Sequence, residues 1–468
     1  MRGSRPRSTF AVKCLTAVVL SHHEQRRRIR PRWRPDRGGL EEGRRMKLSA
    51  ALDVEVVAHE AADEVTVLLE LQAPAGPVTD RTPTAFQVVL DRSGSMSGAP
   101  LAGAQKALAS VVAQLDPTDV FGLVTFDDAA DVVVPAGPLT DKQRATDAIA
   151  RIDAGGLTDM SSGYLRALQE LRRGTTTAGI RGGTVLIVSD GHVNQGIQDV
   201  DALAGVTAKA AADGIVTSTL GYGRGYDETL LSAMAKAGNG NHIFADDPDA
   251  AGAAIAGEVD GLLAKSAQAV TLTVRFVPQV QKLALYNDLP VHQTAERELM
   301  IELGDLHALE QRKLLLRMKV DGLAALGVTQ VADLELRYVE TATLTEHTVT
   351  LPISVNVVPG DELGDRIPDP KVQSEKLYQE GQAEKLRASQ AFERGDIEGG
   401  ESALGVARAR LTEAASFCPP EDREAIDGEV GALDVLAADV RTTGAGYVSK
   451  ATRDSYHLAN RKRGRRRD

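Results

Sequence analysis

The chain has 468 residues, 43% apolar and only 4% aromatic, so it is long enough for two or three domains with cores built from Val, Leu, Ile and Ala. No run of 18 apolar residues occurs, which argues against a membrane-spanning helix, and Cys14 and Cys418, near opposite ends, supply neither a disulfide framework nor metal-ligand spacing. The net charge is −11, but residues 1–45 carry 13 Lys or Arg against 4 Asp or Glu, which leaves −20 on the other 423 residues and argues against nucleic-acid binding by the globular body.

Residues 1–45 begin with basic residues and contain a short apolar run, Phe10 to Leu20, in the manner of a signal peptide. Lys13 interrupts that run, no small-x-small cleavage site follows, and Arg26-Arg27-Arg28 comes soon after. The preferred reading is a basic, disordered arm or a mis-assigned start, with translation beginning at Met46; Glu41-Glu42-Gly43 can be encoded by a purine run resembling a ribosome-binding site. The expected location is cytoplasmic, with export the alternative if the arm is genuine. Native peptides from residues 1–45 in a mass spectrum would overturn the Met46 start.

Leu52, Val54 and Val56, then Val65, Val67, Leu69 and Leu71, alternate with polar residues, as half-buried strands do. From Phe86 the texture changes to strands separated by helical stretches. Phe86 to Leu90 is a strand, and Leu101, Ala104, Leu108, Val111 and Leu115 recur at helical spacing. Further strands are predicted at Val120 to Phe126, Val132 to Val134, Thr184 to Val188, Ile215 to Leu220 and His242 to Phe244. This order predicts a doubly wound, mostly parallel sheet over residues 84–265. Alternation without helices returns at Val270 to Phe276, Leu314 to Val320 and Val349 to Val357. The α/β block is therefore expected to be inserted in a discontinuous β-sandwich made of residues 46–83 and 266–359.

A C-terminal α-helical region follows over residues 370–445. Gly395 and Cys418-Pro419-Pro420 divide it into about three helices. The Gly395-Asp396 turn is reminiscent of a single tetratricopeptide-type hairpin. Residues 446–468 are read as a solvated basic tail, since six of the last eight are Lys or Arg and no aromatic platform accompanies them.

Asp91-Arg92-Ser93-Gly94-Ser95 stands between the first α/β strand and its helix, at the carboxyl end of the sheet where such folds bind ligands. A tight turn there brings one carboxylate and two hydroxyls to a common point, and a hard cation such as Mg²⁺ needs about six oxygens. Other loops at that edge offer Thr158, from Gly155-Gly156-Leu157-Thr158-Asp159, and Asp190, from Ser189-Asp190-Gly191. Without a metal, the same Asp and Ser residues would read as a helix-capping turn.

These motifs resemble the metal-ion-dependent adhesion site of von Willebrand factor A domains, and all five family positions are filled, by Asp91, Ser93, Ser95, Thr158 and Asp190. The resemblance covers about Thr84 to Lys265 and is nearest to bacterial proteins of the calcium-activated chloride channel homologue type. It implies a divalent cation, Mg²⁺ or else Mn²⁺ or Ca²⁺, bound directly or nearly so by the serines and threonine, with the aspartates often acting through water. It further implies that an open coordination position takes an Asp or Glu of a partner protein.

A non-enzymatic interaction module is the leading expectation. A regulatory subunit coupling a AAA-type ATPase to a target is one alternative. Another is a Mg²⁺-dependent phosphohydrolase with Asp91 as nucleophile, although Ser93 stands where haloacid-dehalogenase phosphatases usually carry a second Asp. Three other signals receive bland readings. Gly221-Tyr222-Gly223-Arg224-Gly225 lacks dinucleotide-loop spacing and is a strand-to-helix turn, Asp127-Asp128 form a hairpin turn, and His192 is an exposed loop residue.

Overall fold

The computed structural model describes residues 45–75, 82–223, 225–364 and 366–461. The basic arm, apart from Arg45, and the final run at residues 462–468 lie outside these. No helix among the described residues is long and apolar enough to cross a membrane.

Three strands come first: β1 (Lys47–Leu52), β2 (Val56–Ala58) and β3 (Asp63–Gln72). An α/β block follows, with β4 (Ala85–Asp91), α1 (Ala99–Gln114), β5 (Val120–Phe126), β6 (Ala130–Pro138), α2 (Lys142–Ile149), α3 (Met160–Ala178), β7 (Gly183–Ser189), α4 (Val200–Ala212), β8 (Ile215–Tyr222), α5 (Glu228–Ala237), β9 (Asn239–Ala245) and α6 (Pro248–Leu263). Its strands form one sheet in the order β6-β5-β4-β7-β8-β9, all parallel except β6. Strands β4 and β5 are buried along their whole length because helices cover both faces. Phe86, Val88 and Leu90 pack with Leu108 of α1 and Ile255 of α6, whereas Val89 and Val124 pack with Tyr164 of α3 and Met234 of α5.

The chain then returns to strands: β10 (Lys265–Phe276), β11 (Val280–Leu285), β12 (Val291–Ala295), β13 (Glu298–His307), β14 (Gln311–Val320), β15 (Gly327–Glu340) and β16 (Thr345–Val358). Two sheets result, ordered β1-β3-β14-β11 and β12-β13-β10-β15-β16-β2. Val65, Val67, Leu69 and Leu71 of β3 meet Leu272, Leu334 and Leu336 in the core between them. The expected fold class, a doubly wound sheet inserted in a discontinuous sandwich, is therefore present. Both crossings are tied down, Thr82 by the Thr341 carbonyl (2.9 Å) and Lys265 by Asp305 (2.7 Å) and the Thr184 hydroxyl (3.1 Å).

Leu68 breaks the alternation of β3 for a structural reason. With Leu315 it lies on the other face of the four-stranded sheet, where Val372 of α7 (Pro370–Glu393) covers both. The helices α8 (Ile397–Phe417), α9 (Pro420–Thr442) and α10 (Ala445–Arg461) complete this region.

Helix α10 corrects the expectation of a basic tail from residue 446. Val448, Thr452, Tyr456 and Ala459 form a buried stripe at helical spacing. Two of its basic residues are not solvated: Lys450 and Arg453 are buried, Arg453 between Glu228 (2.8 Å) and Glu393 (2.7 Å). Asn460 accepts from the Asp288 amide (3.1 Å), and Lys313 of β14 pairs with Asp422 of α9. The helical region thus rests on both the α/β sheet and the sandwich.

Near the junction, Glu310 is enclosed and bonded to His307 (2.7 Å) and Arg312 (2.7 Å). Burial works to raise its pKa, but Arg312 and His307 win and hold it well below the usual carboxylate range. A depressed folded-state pKa gives stability that is complete above the unfolded value and is lost as pH falls through the folded one. The free energy of unfolding is expected to drop below about pH 4 by up to about 1.4 kcal/mol per pH unit for this group. Urea melts of wild type and Glu310→Gln between pH 2 and 7 (roughly the span of the titration) check it: the variant should lose that part of the slope.

Candidate metal-binding site

Parallel pairing of β4 with β7, Leu90 opposite Val188, brings the carboxyl ends of the two strands to one edge. Asp91 closes β4 there and is fully buried. One of its oxygens accepts from the Ser93 amide (2.8 Å) and the other from the Ser189 hydroxyl (2.6 Å). A single 3₁₀ turn, Gly94–Met96, then swings the chain back toward α1. It leaves the Ser93 and Ser95 hydroxyls 3.1 Å apart, and Ser95 donates to Asp190 (2.7 Å).

Thr158 arrives on the loop between α2 and α3. Gly156 has φ +77, and a Cβ there would come 2.8 Å from Cβ of Asp127, so the loop needs glycine on both counts. A Cβ placed on Gly191 would stand 3.6 Å from the Ser95 hydroxyl and 3.7 Å from the Thr158 hydroxyl. Both hydroxyls therefore lie against the Gly191 backbone, next to Asp190. All five residues singled out in the sequence are brought to this edge, from three loops.

The electrostatics are lopsided. Burial pushes Asp91 up to about 6, hydrogen bonds from Ser189 and Ser93 act against that, and the charge of Asp190 adds to it. Asp190 is also raised, again chiefly by burial. Among the described residues, no basic side chain is one of the strongest influences on either carboxylate. Arg92, the one cation of the loop, turns instead to Asp127 (2.9 Å) and Asp131 (2.7 Å). An oxygen-only set of two carboxylates and three hydroxyls, short of positive charge, suits a hard divalent cation and not a soft one.

Sequence reasoning left several supporting residues without a role. Asp128 accepts from the Leu157 amide (2.7 Å), and Asn194 accepts from the Thr158 amide (2.9 Å). The Asp159 amide donates to the Asp127 carbonyl (2.8 Å), and the Gly155 amide to the Arg92 carbonyl (2.7 Å). The Asp127-Asp128 turn is thus also a brace for the Thr158 loop, a role its place at the end of β5 could have signalled. Asn194 carried no such signal. His192 is exposed, with its ring nitrogen 3.7 Å from Asp227.

The family model for the von Willebrand factor type A domain matches residues 87–254. Escherichia coli YfbK is 29% identical over 192 residues, which are 41% of this chain and 33% of that protein. Synechocystis sll0103 is 26% identical over 288 residues, 59% of this chain and 66% of that protein. The chain thus spans a third of the first relative and just under two thirds of the second. Among solved structures, a von Willebrand factor type A protein from Catenulispora acidiphila aligns with a TM-score of 0.65 at 17% identity, covering 81% of this chain and 88% of that one, a likeness of fold.

Proposed function

Because the chain carries a von Willebrand factor type A domain, we propose that it is a protein-binding module that holds a divalent cation on Asp91, Ser93, Ser95, Thr158 and Asp190 and captures a partner's Asp or Glu there. The observation that carries this reading is the meeting of the buried Asp91 and the half-buried Asp190 with the Ser93, Ser95 and Thr158 hydroxyls at one sheet edge, with no basic side chain among the strongest influences on either carboxylate. Mg²⁺ suits such a set best, with Mn²⁺ and Ca²⁺ as alternatives.

When bound, the cation would supply an electrophilic position for an anionic ligand. The chain's own residues do the rest. Ser189 and the Ser93 amide fix the Asp91 carboxylate, and Ser95 fixes Asp190. Leu157, beside Thr158, is 53% exposed and offers apolar contact to an arriving partner. Binding is favoured over phosphoryl transfer by the state of Asp91, which is fully buried with both oxygens engaged and so is poorly presented as a nucleophile.

Partner capture from lysate on immobilised full chain should occur in Mg²⁺ and drop about tenfold or more with EDTA or in Asp91→Ala. Unchanged capture in both arms would remove the metal from the mechanism.

A further inference from the structure

We infer that helix α10 is a positioning element for the metal site, acting through the Tyr226 hub between β8 and α5 on the Asp190-Gly191 peptide. The inference rests on the metal reading above and adds the means by which the C-terminal helices regulate that site.

The path is short and each link is a contact. Lys450 of α10 donates to the Tyr226 carbonyl (2.8 Å), and its ammonium stands 3.8 Å over the centre of the Tyr226 ring. The ring is enclosed on its remaining sides. A Cβ on Gly221 would come 2.3 Å from it, the rings of His242 and Phe244 lie 5.8 and 5.9 Å away, and its hydroxyl is 3.4 Å from His242 Nε2. Tyr226 therefore has one position, and Lys450 fixes its main chain there.

On either side of Tyr226 the main chain supports the metal loop. A Cβ at Gly225 would stand only 3.2 Å from the Asp190 carbonyl, so this backbone lies against that peptide. The Asp227 amide donates to the Gly191 carbonyl (3.4 Å). Asp190 in turn accepts from Ser95. Four residues of α10 and α7 hold the start of α5 from the far side: Arg453 binds Glu228, Glu393 accepts from Thr229 (2.9 Å), and Ser389 and Ser449 fill the space between. Asp454 additionally accepts from the Phe244 amide of β9 (3.0 Å).

Moving α10 away would release Tyr226, loosen residues 225–227 and free the Asp190-Gly191 peptide from its rest. A ligand-bearing loop with fewer contacts pays more conformational entropy on binding an ion, so affinity falls. Linkage requires the reverse as well: an ion bound at Asp190 stabilises the docked α10. A partner that takes hold of the C-terminal helices would thereby change the grip of the metal site without touching it.

Isothermal titration of MgCl₂ into the full chain tests this, with hydrogen exchange as a second measurement that needs no variant. Lys450→Met should weaken Mg²⁺ binding by roughly three- to tenfold, less than loss of a group bonded directly to a ligand. Lys450→Arg should retain most of the affinity. In wild type, saturating Mg²⁺ should slow amide exchange in residues 445–456 as well as in the Asp190 loop. Equal affinities for wild type and Lys450→Met, or exchange in α10 that ignores Mg²⁺, would overturn the coupling and leave the metal reading standing. Absence of any Mg²⁺ binding by wild type would remove both. Should Lys450→Met fail to fold, the exchange result decides alone.

Discussion

Adding Mg²⁺ to the purified chain should raise its melting temperature, and Asp190→Ala should abolish the rise. A ligand that binds only the folded state stabilises by RT ln(1 + [L]/Kd), about 2.7 kcal/mol at a concentration one hundred times Kd. For a body of this size that is roughly 3 °C. The effect has a local cause. Asp91 is buried beside the half-buried Asp190, burial and the charge of Asp190 push Asp91 up to about 6, and no basic side chain is among the strongest influences on either. A cation relieves both penalties at once. Asp190→Ala removes one carboxylate and the acceptor of the Ser95 hydroxyl, so without Mg²⁺ it should melt no lower than wild type, or slightly higher. Differential scanning calorimetry at 0 and 10 mM MgCl₂ (about a hundredfold a Kd near 0.1 mM) makes the comparison. Equal melting shifts in wild type and variant would place the stabilising ion elsewhere.

The second large effect is expected at Arg453. Its guanidinium is 6% exposed and lies 2.8 Å from Glu228, which is as deeply enclosed. Burial raises the Glu228 carboxyl, with Arg453 the strongest opposing influence and Lys450 the next. Arg453→Met leaves that carboxylate to Lys450 and the Ser389 hydroxyl, and breaking a buried pair from one side costs about 3–5 kcal/mol. The loss should appear first as undocking of α10, detectable as new proteolytic cleavage after residue 444, and then as a lower urea midpoint. Replacing both partners, Arg453→Met with Glu228→Gln, should recover most of the loss, because the uncompensated charge is then gone. A double variant as unstable as the single would show that packing, and not charge, holds the helix.

The α/β order, strand β3 and the stripe on α1 could be read from the chain because each carries a pattern that its packing matches, whereas Leu52 to Val56, read as one strand from its alternation, spans the bend between β1 and β2. That the residues of the candidate site share one edge could be read because β4 and β7 are parallel neighbours, so equal strand ends lie side by side. What could not be read lacked that regularity. Strand β12 is exposed at every position and has no apolar alternation. Strand β15 is interrupted by a bulge between Gln330 and Ala332, and β13 carries Gly304 at φ +72, so neither keeps a strict two-residue period. Helix α10 was hidden by its charge. Lys450 and Arg453 look like part of a basic tail until Glu228 and Glu393, more than fifty residues upstream, are seen to enclose them. Asn194 acts through a single amide contact, which no spacing rule announces.

The sandwich also has a history in time. Strand β3 pairs with β1 beside it and, on its other edge, with β14, Val65 opposite Met318, a partner about 250 residues later in the chain. At ribosomal speeds that interval is on the order of tens of seconds. During it the apolar face of Val65, Val67, Leu69 and Leu71 has no opposing sheet, while the inserted domain, whose strands and helices are all local to it, can emerge and fold completely. The first strands must therefore wait, which makes them the segment where a nascent-chain binding factor would act and where a slowed or truncated synthesis would leave a sticky edge.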